Sequence, residues 1–217
     1  MIDTPNTARA SGTKKRTRIQ QANEERILDA GLELFSSFGF RGATIDQIAE
    51  KAGMSKPNLL YYFRRKSDIY TAVLIRTLEM WLEPMEQINV AGDPKTELQA
   101  YVSRKIGFSK NYPEASRLFM NEILQGAPLM KETLEVRVKS IADKKAEVLR
   151  AWAAQHKLAN IDPYHVIFMI WAMTQHYADF EVQIRAIIPD RADDREQFFQ
   201  EAGEAVSEVL LHGLLPR

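Results

Sequence analysis

The chain has 217 residues, of which 45% are apolar and 27% charged, enough to enclose a core and inconsistent with general disorder. It contains no cysteine, which excludes a disulfide framework and a thiolate metal site. Net charge is zero, but residues 1–70 hold twelve Lys or Arg against eight Asp or Glu, and residues 71–217 hold seventeen against twenty-one, so a polyanion would meet the front alone.

A random fluctuation would give the same asymmetry, so the motifs have to decide. Residues 1–20 are polar and basic, with KKRTR at 14–18, and read as a flexible arm. They lack the apolar run of a signal peptide, and the longest such run, Val166–Met173, is too short to span a bilayer. The expectation is a cytoplasmic protein with no membrane partner.

Helical spacing follows, with Ile27, Ala30, Leu34, Phe35 and Phe38 at steps of three and four and Gly39 as a stop. Thr44 is a good N-cap, with Asp46 and Gln47 in the first turn and Ile45, Ile48, Ala49 and Ala52 on one apolar face. Gly53 ends that helix; Ser55 caps the next, with Pro57 in its first turn. Ser67 and Asp68 open a long helix through Trp81. Two short helices joined by the turn AGMS at 52–55 have helix-turn-helix spacing and need the preceding helix as a backing.

In SKPNLLYYFRRK at 55–66 every charged residue is basic. On a helix, Leu59 and Phe63 share one face with Leu60 beside them, leaving Ser55, Lys56, Asn58, Tyr61 and Tyr62 to point elsewhere. A major-groove reader needs this division: an apolar back and a front of hydroxyl, amide and ammonium groups. Tyrosine pairs are also common in ordinary protein contacts, so the pattern alone leaves both readings open.

Beyond Pro84 the pattern stays helical, with breaks at Pro84, 91–94, 112–113, 126–128, 159–163 and Pro189, and five or six helices between them. On the apolar segment 161–184, Trp171, Gln175 and Asp179 follow at four-residue steps, with Thr174 beside them. A buried glutamine needs a partner. A flat indole and an amide suit a small planar ligand with an imide edge; a bond from Gln175 to a neighbouring helix or a dimer mate would serve equally. Phe198, Phe199, Ala202, Val206, Val209 and Leu210 form an apolar stripe, either a four-helix dimer interface with 163–187 or plain core. The four histidines, His156, His165, His176 and His212, show no metal-ligand spacing, so no metal site is expected. No phosphate-binding glycine loop, nucleophile–base motif or paired catalytic carboxylates appear, and an enzyme is not expected.

The run FGFRGATIDQIAEKAG into YYF..K, within residues 24–70, resembles the DNA-binding domain of the TetR family of repressors. The resemblance implies an all-α chain: a three-helix helix-turn-helix head at 21–68 behind the arm, then a helical ligand-binding and dimerisation domain at 69–217, acting as a homodimer on palindromic double-stranded operator DNA. By position, Thr44 would cap the second helix against a phosphate, Ser55, Lys56 and Asn58 would open the recognition helix, and Tyr62 and Lys66 would hold the backbone. Many members have a tyrosine where this sequence has Leu60; here the hydroxyl moves to Tyr61. Lys14, Arg16 and Arg18 of the arm, with Lys15, would add phosphate or minor-groove contacts, or remain a solvated tail.

MWLEPM at 80–85, NYPEASRLF at 111–119, QGAPL at 125–129 and IDPYHVIFMIWAMTQHYADF at 161–180 resemble pyrimidine-responsive members of this family. That likeness implies no cofactor and an effector such as uracil or thymine, or a dihydropyrimidine. It assigns Trp81, Trp171 and Gln175 to the pocket, with Thr174 and Asp179 beside them. It also leaves open whether the protein activates some promoters.

Overall fold

A computed structural model describes residues 17–216, the side chains of 191 and 192 excepted. Lys14, Lys15 and Arg16 lie outside the described residues. Every element among the described residues is helical.

Helix α1 (Arg18–Gly42) starts earlier than the polar composition of 1–20 suggested. Thr17 and Gln20 form a capping box: the Thr17 hydroxyl accepts the Gln20 N–H at 3.3 Å and the Gln20 side chain accepts the Thr17 N–H at 2.9 Å. The helix breaks at Gly39, whose φ of 69° a side chain would resist. Phe38, expected on the core face, is exposed there, and Phe40 instead joins Phe35 and Tyr70 in an edge-packed aromatic cluster. The break turns the chain, so the aromatic two residues later reaches the core.

Helices α2 (Ile45–Lys51) and α3 (Lys56–Tyr62) carry the expected caps, Thr44 and Ser55. The turn between them uses Gly53 at φ 65°, and the Arg26 guanidinium donates to the carbonyls of Ala52 and, at 3.2 Å, Gly53. Ile48 and Leu59 are fully buried; α2 packs on α1 and α3 packs on α2, so the short helices are held by the backing helix in turn.

Helix α4 (Lys66–Gln87) runs through the expected boundary at 68/69 and through Pro84, where a break was predicted. Pro84 sits near the C-terminal end, where one lost hydrogen bond matters least, and it is buried beside Trp81, Leu82 and Met85. Then follow α5 (Pro94–Asn111), α6 (Pro113–Leu124), a short α7 (Lys131–Thr133), a π-helical stretch Leu134–Val138, and α8 (Lys139–Ala154). The chain closes with α9 (Pro163–Asp179), α10 (Glu181–Ile187), α11 (Pro189–Asp193) and α12 (Arg195–Leu214).

Helix α5 packs between α9 and α12 at the centre of the C-terminal bundle, and α6 touches α1, α4 and α9. The stripe on α12 divides: Phe199, Ala202, Val206 and Leu210 are buried, whereas Val209 is exposed. The core-facing part is therefore intramolecular. No helix among the described residues is long and apolar enough to cross a membrane.

Candidate functional site

Two places gather the predicted site residues. The first is the outer face of α3. Ser55, Lys56 and Asn58 are exposed at its start, while Leu59 and Phe63 are buried behind. Lys56 pairs with Asp46 of α2 at 2.9 Å; both are exposed, so the pair is weak and can exchange for a phosphate. Tyr61 is 71% exposed and stands edge-on to Tyr62 at 5.3 Å. The Tyr62 hydroxyl accepts from Asn23 of α1 at 2.9 Å, and the Tyr61 hydroxyl accepts from Gln20 at 3.5 Å. The start of α1, with exposed Arg18, thus borders the end of α3. Sequence spacing alone did not reveal this neighbourhood.

Thr44 caps α2 reciprocally with Gln47, so its hydroxyl already serves the helix. Lys66 is half-buried; its ammonium donates to the Ala43 carbonyl at 2.7 Å and lies 4.7 Å from the centroid of Phe40. It pins the start of α4 to the α1–α2 junction.

The second place is a cavity of about 280 Å³ in the C-terminal bundle. Helix α4 supplies Leu78, Trp81 and Leu82; α6 supplies Phe119, Met120 and Ile123. Leu134 and Val138 of the π-helical stretch, Lys105 of α5, and Trp171 and Gln175 of α9 complete the wall. Trp81 packs edge-on to Phe119 at 5.1 Å. The Trp171 indole donates to the Tyr101 hydroxyl at 2.8 Å, which fixes its plane. The Gln175 side chain makes no hydrogen bond among the described residues, so its amide is available to the cavity.

Thr174 and Asp179 do not line this cavity. Thr174 is fully buried and its hydroxyl donates back to the Ile170 carbonyl at 2.7 Å. Asp179 accepts from the Ser116 hydroxyl at 2.6 Å, and burial holds its carboxyl above the usual range.

The residue that sequence reasoning missed is Lys105. It is 3% exposed, and its ammonium lies 4.8 Å from the Trp81 ring centroid. It makes no hydrogen bond or ion pair among the described residues. Burial without a partner drives the amine down to about 7, against a weaker opposing pull from Asp179. Its signal was present: Leu98, Tyr101, Val102, Lys105, Ile106 and Ser109 follow helical spacing and are all buried.

The head and the cavity share two helices. Helix α4 carries Tyr70 in the head's aromatic cluster and Trp81 in the cavity. Helix α6 carries Phe119 and Ile123 in the cavity wall and Glu122 between them. Glu122 is buried, accepts the Leu129 N–H at 2.7 Å and faces the Tyr70 hydroxyl, which burial and then Glu122 push up to about 12. No group of three or more potential metal ligands occurs among the described residues.

Comparison with known proteins gives two family matches. Residues 27–73 match "Bacterial regulatory proteins, tetR family", and residues 74–217 match "YcdC-like protein, C-terminal region". The chain is 45% identical over 205 residues to the HTH-type transcriptional regulator RutR of Escherichia coli O157:H7, covering 94% of this chain and 96% of that protein. The fold is similar to that of transcriptional regulator SCO4942 from Streptomyces coelicolor, with a TM-score of 0.71, 26% identity, and coverage of 88% of this chain and 98% of that one. It is also similar to AibR, solved with isovaleryl coenzyme A and operator DNA, at a TM-score of 0.58 and 17% identity over 72% of this chain and 85% of that one.

Proposed function

Because this chain belongs to the TetR family of DNA-binding transcriptional regulators, we propose that it is a homodimeric repressor that holds palindromic operator DNA and releases it when a small pyrimidine, uracil or thymine, fills the cavity between α4, α5, α6 and α9. In that role it controls genes of pyrimidine breakdown.

The observation that carries the ligand assignment is the convergence of Trp81, Trp171 and Gln175 on one cavity. Two indoles offer stacking faces for a planar ring. Gln175 offers a donor and an acceptor, the pair an imide edge requires. Lys105 offers donors to a ring carbonyl. A cavity of about 280 Å³ lies near the small end of ligand sites, fitting a single ring better than a nucleotide.

Release follows if the ligand binds a second arrangement of α4 and α6 better than the DNA-competent one. Both helices join cavity and head, so a ring wedged against Trp81 and Phe119 would be linked along α4 and α6 to Tyr70 and its cluster.

The dimer reading rests on α9, α10 and α12. Phe168, Met169, Phe180, Val182, Ile187 and Val209 are exposed apolar residues there. His176 stacks on Phe180 at 4.7 Å on the same side. A second copy covering these faces would close the bundle.

Calorimetric titration of the purified protein with uracil, thymine and dihydrouracil, beside Gln175→Ala, tests the assignment. Saturable binding that Gln175→Ala weakens by roughly tenfold or more, with operator binding intact, is expected. Absence of binding by all three rings would overturn it.

A further inference from the structure

The least comfortable group in the molecule is the Lys105 amine. It projects from the middle of α5 into an apolar cavity with neither a hydrogen bond nor an ion pair among the described residues. The single carboxylate acting on it is Asp179 on α9, already engaged by the Ser116 hydroxyl from α6. Arg117 of α6 turns away to the Ala178 carbonyl and Glu181. Tyr101, one turn before Lys105, is engaged by Trp171. Among the described residues, only the face of Trp81 and the more distant charge of Asp179 favour Lys105 as a cation.

We infer that Lys105 is a carbonyl-capturing amine, and that small aldehydes bind this cavity covalently and reversibly as imines of its side chain. The inference uses the same cavity as the pyrimidine reading but does not depend on it.

Three features support the chemistry. An amine is a nucleophile only when unprotonated, and lysines that form imines are those desolvated in apolar pockets. Burial lowers its pKa to about 7, so a far larger share of Lys105 is neutral at pH 7 than the roughly one part in a thousand or less of an exposed lysine. The Trp81 face beneath the nitrogen stabilises the protonated imine. The apolar wall from Leu78, Leu82 and Phe119 limits the water that would hydrolyse it.

The bond changes balance without any co-reactant. The nitrogen lone pair attacks the carbonyl carbon, the carbonyl π pair moves to oxygen, and one amine proton passes to that oxygen to give a carbinolamine. The C–O bond then breaks. The hydroxyl leaves as water with the second amine proton, and the nitrogen lone pair forms the C=N bond. One aldehyde and one amine become one imine and one water.

The test incubates the full-length protein with benzaldehyde, a single-ring probe, at pH 7 with sodium borohydride to trap the imine as a secondary amine. Peptide mapping locates the label. Lys105 should acquire one benzyl group at least about tenfold faster than any surface lysine, and uracil should slow it. Lys105→Arg, which keeps a cation but cannot form an imine, should lose that label. Should the variant fail to fold, the wild-type rate against pH decides: a rise with midpoint near 7 supports the inference, and a rise only toward the ordinary lysine range overturns it. Labelling of Lys105 no faster than surface lysines also overturns it. Uracil binding without labelling sinks the imine alone; labelling without uracil binding or protection leaves the imine standing and removes the pyrimidine reading.

Discussion

Lys105 sets the energetics of the cavity. Unfolded, its amine holds a proton up to the usual 10.5; folded, it yields the proton near 7. Between those values the unfolded chain binds more protons, so this residue makes stability rise with pH through that window and leaves it flat below. Lys105→Met should therefore stabilise the ligand-free protein by about 2–4 kcal/mol at pH 7, with the gain shrinking toward pH 10. Urea unfolding of both proteins at several pH values checks this, and a variant less stable than the parent at pH 7 would contradict it. On the proposed pyrimidine reading, the same substitution should weaken uracil binding, because a ring carbonyl would lose its donor. Trp171 and Gln175 were legible because they share one helix face in an apolar segment, and Trp81 came with the family resemblance. Lys105 was not picked out because it follows Arg104 in a charged-looking stretch. Only the flanking Tyr101, Val102 and Ile106 show that its side of α5 faces inward. Thr174 and Asp179 were expected at the pocket, yet the Thr174 hydroxyl turns back to the Ile170 carbonyl on its own helix and the Asp179 carboxylate accepts from Ser116 of α6.

The caps and glycines made the head legible as elements: Thr44, Gly53 and Ser55 fix α2 and α3 by local hydrogen bonds and backbone freedom. The cavity's cover was not legible. A π-helical stretch of five residues, Leu134–Val138, differs too little in period from an α-helix to show in a pattern. It places Leu134 and Val138 on the cavity while Arg137 reaches back to α4. That guanidinium bonds both carboxylate oxygens of Glu79, at 3.1 and 2.9 Å, and lies 3.0 Å from Glu86. Its hydrogen bond holds the Glu79 carboxyl below the usual range. All three side chains are partly exposed, so the clamp adds little to overall stability. Its value is local, since it ties the cover to the helix that bears Trp81. Arg137→Ala should leave thermal stability within about 1 kcal/mol of the parent and raise the uracil dissociation rate roughly threefold to tenfold. Stopped-flow tryptophan fluorescence would read the rate, and an unchanged rate would separate the clamp from the cavity.

At the scale of the whole molecule, the proposed dimer would have to place two heads on one operator. Paired recognition helices in such dimers sit about 34–36 Å apart, one turn of DNA. Phe168→Glu and Val209→Glu put a charge on each exposed face attributed to the second copy. Each should shift sedimentation toward the monomer and weaken operator binding by roughly a hundredfold, while uracil binding persists. A variant that stays dimeric would move the interface elsewhere. The overall division into head and bundle was readable from motif spacing, but the join was not, because α4 belongs to both. That unbroken helix carries a mechanical constraint. Fifteen residues separate Lys66 from Trp81, a rod of about 22 Å. One inserted residue between them would turn the indole about 100° around the axis relative to the head. The helix therefore behaves as a keyed shaft. Its length can change only by whole turns without losing phase, and under the proposed release mechanism its stiffness would turn a tilt of a few degrees at the cavity into a displacement at the helix-turn-helix head.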